Sequence, residues 1–360
     1  MKIAQVCHRY YPNRGGVENH VKEISERLAK KFHVEVITAD LSSNNKQITE
    51  LKGVRIKRFR SIAPNNAYFF SPQILFYLRK RDFDVIHAHN YHAFPALFAS
   101  LVKGGKFVFT PHYHGMGSTA FRDFLNRPYK LIGSKIFKRA DKIICVSEFE
   151  KELIIRNFGI LEDKMVVIPN GVALKEIKET QPFDFDADLI LYVGRLEKYK
   201  NIHLAIRTME FLPESYFYII GETGNYKNEL GNLIHKLNLE NRVKILSNVS
   251  DAEKYRWMKT CSLFVNLSSI EAFGITVLEA LAAGKPVIVN EEGGLRELAD
   301  KFDGVFPVRV HEFKERDSIE KLAKIMRESM GKEVKTDLDE YDWDIIAKKV
   351  EEVYSEVYKR

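Results

Sequence analysis

Two carboxylates eight positions apart, Glu271 and Glu279, bracket the start of an apolar helical pattern within residues 269–289. Leu278, Leu281 and Ala282 recur at helical spacing and Gly284 reads as the stop. Pro286, Val287, Ile288 and Val289 then read as entry into a buried strand. A helix beginning near Gly274 puts Glu279 about 8 Å along its axis, at roughly 1.5 Å per residue. Both carboxylates can then serve one ligand docked at the helix N-terminus, where free N–H groups and the dipole favour phosphate. A polyhydroxylated ligand carrying a diphosphate suits that arrangement. The carboxylates accept from sugar hydroxyls, while the N–H groups around Phe273, Gly274 and Ile275 donate to phosphate. In an arbitrary chain the same two glutamates would be a first-turn residue and a solvent-facing one. The flanking pattern weighs against that description here.

Arg195 follows a predicted strand, 189–194, and Lys200 lies five residues on. Ligands of open α/β sheets bind outside the carboxyl ends of strands. There an Arg forks onto diphosphate oxygens and a Lys adds a point charge, which together neutralise a departing diphosphate; a solvated basic turn is the competing description. Gly15 and Gly16 stand between the first strand and the first helix, where glycine permits close backbone approach and the helix start offers N–H groups to phosphate. A plain tight turn fits the same pair. They form no G-x-G-x-x-G, so a nicotinamide cofactor is not expected. His112 lies just past a predicted strand, 106–110, again at a carboxyl end. His87, His89 and His114 are its neighbours in sequence, a density that metal sites share. No Asp-x-Asp stands beside them, and Arg195 with Lys200 already fill the phosphate role. The expectation is therefore no cofactor and no metal, with His87 and His89 structural or at a rim.

The elements that must position these residues alternate short apolar strands with helical patterns, the signature of parallel α/β sheets. Strands are predicted at 3–7, 33–38, 85–87, 106–110 and 142–146, with a first helix over 17–31. Ser147 is expected to cap the next helix, since Ser147 and Glu150 have the spacing of a capping box; a role in acceptor binding is the other reading of that serine. A polar stretch, 180–184, reads as an interdomain linker. A second series follows at 189–194, 216–221, 242–246, 263–267 and 286–289, and the chain ends on a strongly helical segment. At 360 residues, two domains of ordinary size are expected. Hydrophobic residues make up 45% and charged residues 29%, as in soluble globular proteins, and no apolar run is long enough to span a bilayer. The N-terminus is already a strand, not a signal peptide. Cys7, Cys145 and Cys261 are odd in number and widely spaced, which favours free thiols in a reducing cytoplasm. The net charge of +7 is uneven: residues 1–170 carry +13 and the remainder −6. That asymmetry points to an anionic partner for the N-terminal half.

Residues 269–289 closely resemble the EX7E motif of the retaining glycosyltransferases of family 4, enzymes with the GT-B fold. Further blocks resemble that family in its own order: residues 11–18 around Gly15-Gly16, Asp84-Val85-Ile86-His87-Ala88-His89, Thr110-Pro111-His112-Tyr113-His114, Ile168-Pro169-Asn170-Gly171-Val172, Gly194-Arg195-Leu196 with Lys200-Asn201, and Gly293-Gly294 with Glu297. The resemblance implies two doubly wound Rossmann-like domains facing each other across a cleft. Residues 1–172 would form the acceptor side, with helix 343–360 packing back on it, and residues 173–342 would bind the nucleotide sugar.

The resemblance also implies transfer of a hexose-type sugar, with retention, from a nucleotide-diphosphate donor to a hydroxyl of a glycan, a lipid-linked acceptor or a small molecule. In that reading Glu279 holds ribose hydroxyls, Glu271 orients the hexose and His112 contacts the donor sugar. Arg195 and Lys200 stabilise the leaving diphosphate, Gly221 lies near the nucleotide, and the loop ending at Val249 reads the base through its backbone. Gly221-Glu222-Thr223-Gly224 is one residue longer than the common form, a departure that bears on the roles of its individual residues; two others concern subfamily alone, Ala173 in place of a frequent acid and Asn266-Leu267-Ser268 in place of a frequent Pro-Ser. Two other classes remain: a GT-B-like sugar-nucleotide epimerase, and a basic nucleic-acid-binding protein. The latter lacks an aromatic-basic motif, so no nucleic-acid partner is expected. Basic residues beside aromatics at Lys57-Arg58-Phe59-Arg60, Arg79-Lys80-Arg81 and Phe121-Arg122 make an anionic membrane surface a candidate partner, with a peripheral cytoplasmic location.

Overall fold

In the computed structural model the chain divides into two compact units, residues 1–171 with 343–360, and residues 172–342. The structure describes residues 1–13, 15–41, 48–63, 68–115, 120–221 and 224–359, without the side chains of 48 and 120–128. Arg14 and Glu222-Thr223 of the motifs above, and the Phe121-Arg122 side chains, lie outside the described part.

The first unit is built on strands β1 (Lys2–Cys7), β2 (His33–Asp40), β3 (Ile48–Leu51), β4 (Val54–Arg60), β5 (Val85–His89), β6 (Lys106–Thr110), β7 (Lys142–Cys145) and β8 (Met165–Val167), in the order β3-β4-β2-β1-β5-β6-β7-β8. All pairings are parallel except β3 with β4 at the edge. Strands buried on both faces read as continuous apolar runs, as β1 and β6 do. The chain runs outward from β1 to β2 and then returns to β1's other side as β5, so the direction of winding reverses between β1 and β5.

The final helix, Trp343–Lys359, belongs to this unit. Its buried residues Ile346, Ala347, Val350, Val353, Tyr354 and Val357 follow the 3.6-residue period. The first helix, Gly16–Leu28, lies beside it, with Arg27 Nε donating to Asp344 Oδ1 at 2.6 Å and Lys31 paired with Glu351 at 2.8 Å. Trp343 seats directly on Gly171: a Cβ there would lie 2.4 Å from the indole, so only glycine leaves room.

The second unit carries β9 (Leu189–Val193), β10 (Tyr216–Ile220), β11 (Val243–Leu246), β12 (Leu263–Asn266), β13 (Val287–Asn290) and β14 (Val305–Val308), all parallel, in the order β11-β10-β9-β12-β13-β14. Here winding reverses between β9 and β12. Residues 180–184 do not form a free linker. Phe183 N donates to Thr260 Oγ1 at 2.8 Å, and its ring lies 4.3 Å from that of Trp257 and 3.8 Å below the Arg256 guanidinium. An aromatic and a cation hold this polar stretch on the second unit. Because residues 343–360 are charge-neutral, the first unit carries +13 and the second −6. Among the described residues no helix is long and apolar enough to cross a membrane.

Candidate active site

In the second unit the reversal point gathers most of the expected donor-binding residues. Arg195 and Lys200 lie in the loop after β9, Gly221 ends β10, Val249 lies in the loop after β11, and Glu271 lies in the loop after β12. Asn201, in the left-handed region at φ 54°, stitches the first and last of these loops together. Its Nδ2 donates to Leu267 O and Ser269 Oγ, both at 2.8 Å. That stitch brings Lys200 Nζ to 2.5 Å from Glu271 Oε2 across the reversal point. Burial alone would lower the Lys200 ammonium, but the Glu271 charge, Tyr199 and the hydrogen bond outweigh it and raise the lysine above its ordinary value. Lys200 is therefore a fixed cation. Arg195, by contrast, is exposed, and its backbone carbonyl accepts from Tyr192 Oη at 2.9 Å.

The helix expected after Glu271 spans Ile275–Ala282, with Gly274 as its N-cap at φ 104°. Only glycine adopts that conformation without strain. No side chain caps this end, and Val277 N donates to Gly274 O at 3.0 Å, so the N–H groups of Ile275 and Thr276 are the ones left to a ligand. Phe273 is buried beside Tyr341, and Gly294 N donates to Glu271 O at 3.0 Å, which anchors the backbone of Glu271. Glu279 points inward from the helix and is 3% exposed. Its Oε1 accepts from Lys254 Nζ at 2.7 Å, while its Oε2 is buried with no partner among the described residues. Lys254, on the helix Asp251–Thr260, was missed by sequence reasoning because its partner is 25 residues away on another element. Gly221 fits under Gly194, whose carbonyl would lie 2.4 Å from any Cβ at position 221.

In the first unit Gly15 and Gly16 open the first helix as expected, and Gly15 is its N-cap without a side-chain bond. A Cβ on Gly15 would lie 2.3 Å from Glu18 Oε2. The buried Glu18 carboxylate thus fills the space against the glycine loop, with Arg9 Nε at 2.8 Å as counter-ion. His112 follows β6 in the left-handed region at φ 48°, a costly conformation for a side-chain-bearing residue. Glu150 holds it there, accepting from the next residue's N–H, Tyr113, and from Val146 N at 2.6 Å. Burial pushes the Glu150 carboxyl up to about 8. Ser147 caps the helix Glu148–Phe158 by accepting from Glu150 N.

His112 Nε2 is turned inward, so any contact with a donor falls to Nδ1 or the ring edge. Its neighbours are not the histidines nearest in sequence. His20 of the first helix and His89 at the end of β5 each bring one ring nitrogen, with that of His112, to within 4.8 Å of one another. His87 stays out of this group because both its nitrogens are engaged, Nδ1 with Tyr354 Oη at 2.6 Å and Nε2 with Thr110 Oγ1 at 2.7 Å. Burial is the main force lowering all four imidazoles: His20 to about 4, and His87, His89 and His112 well below the ordinary histidine range. All four are neutral at pH 7.

Known proteins are similar to this chain in sequence and in fold. Residues 14–176 match Glycosyltransferase Family 4, and residues 175–354 match Glycosyl transferases group 1. An uncharacterized glycosyltransferase of Methanocaldococcus jannaschii is 28% identical over 97% of this chain and 96% of its own length. The GPI3 component of the phosphatidylinositol N-acetylglucosaminyltransferase of Saccharomyces cerevisiae is 23% identical over 99% of this chain and 83% of its own. Among solved structures, Anabaena HepE in complex with UDP-glucose superposes with a TM-score of 0.72 at 18% identity, covering 99% of this chain and 100% of that one. With both halves matched in order, and with two parallel-sheet units each offering a reversal point, the chain belongs to the group 1 glycosyltransferases, with a family 4 N-terminal half and the GT-B fold.

Proposed function

We propose that this glycosyltransferase moves a hexose-type sugar from a nucleotide-diphosphate donor to a hydroxyl acceptor with retention of anomeric configuration. The observation that carries the reading is the Lys200–Glu271 pair at the β9/β12 reversal point, beside a buried Glu279 whose Oε2 has no partner among the described residues. Ribose hydroxyls donate to Glu279 Oε2. Lys200, joined by Arg195, meets the diphosphate, and the open N–H groups after Gly274 assist. Glu271, held by Lys200, orients the sugar hydroxyls. As the anomeric C–O bond breaks, negative charge grows on the diphosphate and Lys200 stabilises it, the kind of fixed electrostatic contribution that dominates such sites. The acceptor hydroxyl attacks from the same face, and a departing phosphate oxygen takes its proton. No metal is required for the phosphate role, since two cations and a helix start fill it.

On the first unit His112, Gly15 and Gly16 are assigned to the donor, with Glu18 more suited to a sugar hydroxyl than to phosphate. Lipid-borne acceptors fit the +13 charge of that unit, and the yeast relative's name places its own transfer on phosphatidylinositol. Location at an anionic membrane face follows from the same charge.

The test begins with a panel of nucleotide sugars screened for thermal stabilisation, since a bound ligand raises stability by mass action. The selected donor is then turned over with candidate acceptors, and the product's anomeric configuration is read by nuclear magnetic resonance. Inversion would overturn retention. Conversion of the nucleotide sugar to its epimer without any acceptor would favour an epimerase, and nucleotide diphosphate that accumulates only when an acceptor is added favours the transferase. Sedimentation with anionic and neutral vesicles at low and high salt tests the membrane part, and equal negligible binding to both removes it.

A further inference from the structure

We infer that His20, His89 and His112 form a binding site for a divalent transition-metal ion of the zinc type inside the first unit. The three rings come from three elements: the helix after β1, the end of β5 and the loop after β6. They meet where the sheet's winding reverses. His20 Nε2, His89 Nδ1 and His112 Nε2 are all buried, and none has a partner among the described residues. One nitrogen of each ring lies within 4.8 Å of the other two, and three buried imidazole nitrogens without partners among the described residues are costly unless something satisfies them.

The surrounding hydrogen bonds fix which nitrogens of His20 and His89 carry lone pairs. His20 Nδ1 meets Asn170 Oδ1 at 2.7 Å, so Nδ1 holds the proton and Nε2 is bare. Gln5 Nε2 donates to Tyr354 Oη at 2.9 Å, which leaves Gln5 Oε1 to accept from His89 Nε2 at 2.7 Å and bares His89 Nδ1. Tyr354 Oη in turn donates to His87 Nδ1, and His87 Nε2 to Thr110 Oγ1. Amide oxygens behind metal-binding histidines are the usual outer shell of such sites. The chain of donors passes through Tyr354 of the final helix, so that helix helps to set the tautomer of His89 by way of Gln5.

When His112 also presents a lone pair at Nε2, as it does in one of its two tautomers, a water molecule with its two protons cannot donate to all three nitrogens, whereas one cation satisfies them. Neutral imidazoles without carboxylate or thiolate suit zinc, copper, nickel or iron rather than magnesium or calcium. Three histidines with a fourth position open are a common zinc arrangement; its bond lengths of roughly 2.0–2.1 Å place ligand nitrogens roughly 3.3 Å apart. The trio must therefore close by about 1.5 Å at its widest. Metal on His112 Nε2 would leave only Nδ1–H to face a donor, making that ring a hydrogen-bond donor. This consequence rests on the role proposed for His112; the site itself does not.

The experiment uses tag-free full-length protein, stripped by chelator and titrated with Co²⁺, then with Zn²⁺. About one Co²⁺ per chain, with visible ligand-field absorption that Zn²⁺ displaces, is expected. Replacing an outer-shell partner, Asn170→Ala or Gln5→Ala, should weaken binding by roughly 10–100-fold. His20→Gln and His89→Gln should weaken it more, while His235→Ala, exposed in the second unit, should not change it. Absence of a tight equivalent in the wild type would overturn the site and leave a buried water only. So would undiminished binding in folded His20→Gln and His89→Gln. Should those variants fail to fold, X-ray absorption of the loaded wild type decides: a histidine-nitrogen shell supports the site, and a sulfur shell or one lacking histidine overturns it. Donor binding and turnover do not enter the readout, so a failed transferase reading would leave it intact.

Discussion

Both units reverse their winding once, and both gather their candidate site residues there, yet they use opposite electrostatics. At the β9/β12 reversal the second unit sets charge against charge: Lys200 on Glu271 and Lys254 on Glu279. At the β1/β5 reversal the first unit buries neutral imidazoles and orients them through amides and hydroxyls. The net charges run the other way. The acidic unit holds lysines at its site, and the basic unit shelters uncharged nitrogens at its own. Architecture selects where a site lies, and local side chains select what it can do. A second difference concerns completeness. The second unit assembles its site from one continuous stretch of chain, whereas the first needs Tyr354 and Trp343 from the far C-terminus.

That dependence can be broken at Trp343, which is 1% exposed, packs on Gly171 and lies with its ring centroid 5.9 Å from that of His20. Trp343→Ala should cost about 3–5 kcal/mol, the range for truncating a buried aromatic. The loss should fall on the first unit. The protein's other tryptophan, Trp257, lies in the second unit and reports it separately by fluorescence. An early circular-dichroism transition with a later, unchanged Trp257 transition is expected. Simultaneous loss of both signals would show that the final helix serves the units equally.

The charged side is broken at Lys200. Lys200→Ala should reduce turnover by roughly 10²–10³-fold, the usual cost of one preorganised electrostatic group, with little change in affinity for the free nucleoside. Glu271→Gln, which keeps the shape and removes the charge, should fall in the same direction. Wild-type turnover in Lys200→Ala would remove the phosphate assignment and with it the contrast between the two reversal points.

Acid sharpens the comparison. His20, His87, His89 and His112 are held neutral in the fold, with folded-state values below the ordinary 6.5. Their unfolded forms bind more protons as pH falls through 6.5, so stability is present above that value and lost progressively below it, for His20 down to about 4. The His20 shift alone corresponds to about 3 kcal/mol by the bottom of that window. The second unit offers His203, only partly buried, as its lowered imidazole. Metal-free protein should therefore lose first-unit structure first on acidification from pH 7 to 4, read by Trp343 in a Trp257→Phe background. Loss of both units at one pH would make the histidine network irrelevant to stability.

Much of this was legible in the sequence where it was local. The strands of the second unit, the Gly274 helix start and the two glutamates sit within a few residues of their signals, and the structure keeps them. The misses share physical causes. β4 alternates Val54 and Ile56 with Arg55 and Lys57, so its charge masked its period, and β14 contains Pro307, which the edge of the sheet tolerates. Residues 180–184 look like a linker until Trp257 supplies a partner. The histidines nearest in sequence pointed to His87 and His114, whereas the folded group takes in His20. Its tautomers depend on Gln5 and Tyr354, 349 residues apart. No spacing rule reaches across that separation; the topology alone brings them together.

The smallest effect is expected at Lys254, where the second unit has its own analogue of an orienting residue. Lys254 Nζ holds Glu279 Oε1 at 2.7 Å, lies 3.7 Å from Asp251 and sits over the Tyr255 ring. Glu279 is nearly inaccessible, so its charge is tolerable only while paired. With Oε1 fixed by lysine, Oε2 is left for the ribose hydroxyls of the proposed donor. Lys254→Ala would leave a buried carboxylate without its cation and free to rotate. A hydrogen bond to a charged group is worth about 1.5–3 kcal/mol, so nucleoside affinity should fall by roughly tenfold to a hundredfold. Turnover at saturating donor should hold, because Lys254 faces the ribose carboxylate rather than the leaving phosphate. Calorimetric titration with the nucleoside and steady-state kinetics separate the two quantities. A loss in turnover equal to that of Lys200→Ala would mean that both lysines act on the phosphate, and unchanged affinity would reduce Lys254 to an ordinary rim pair.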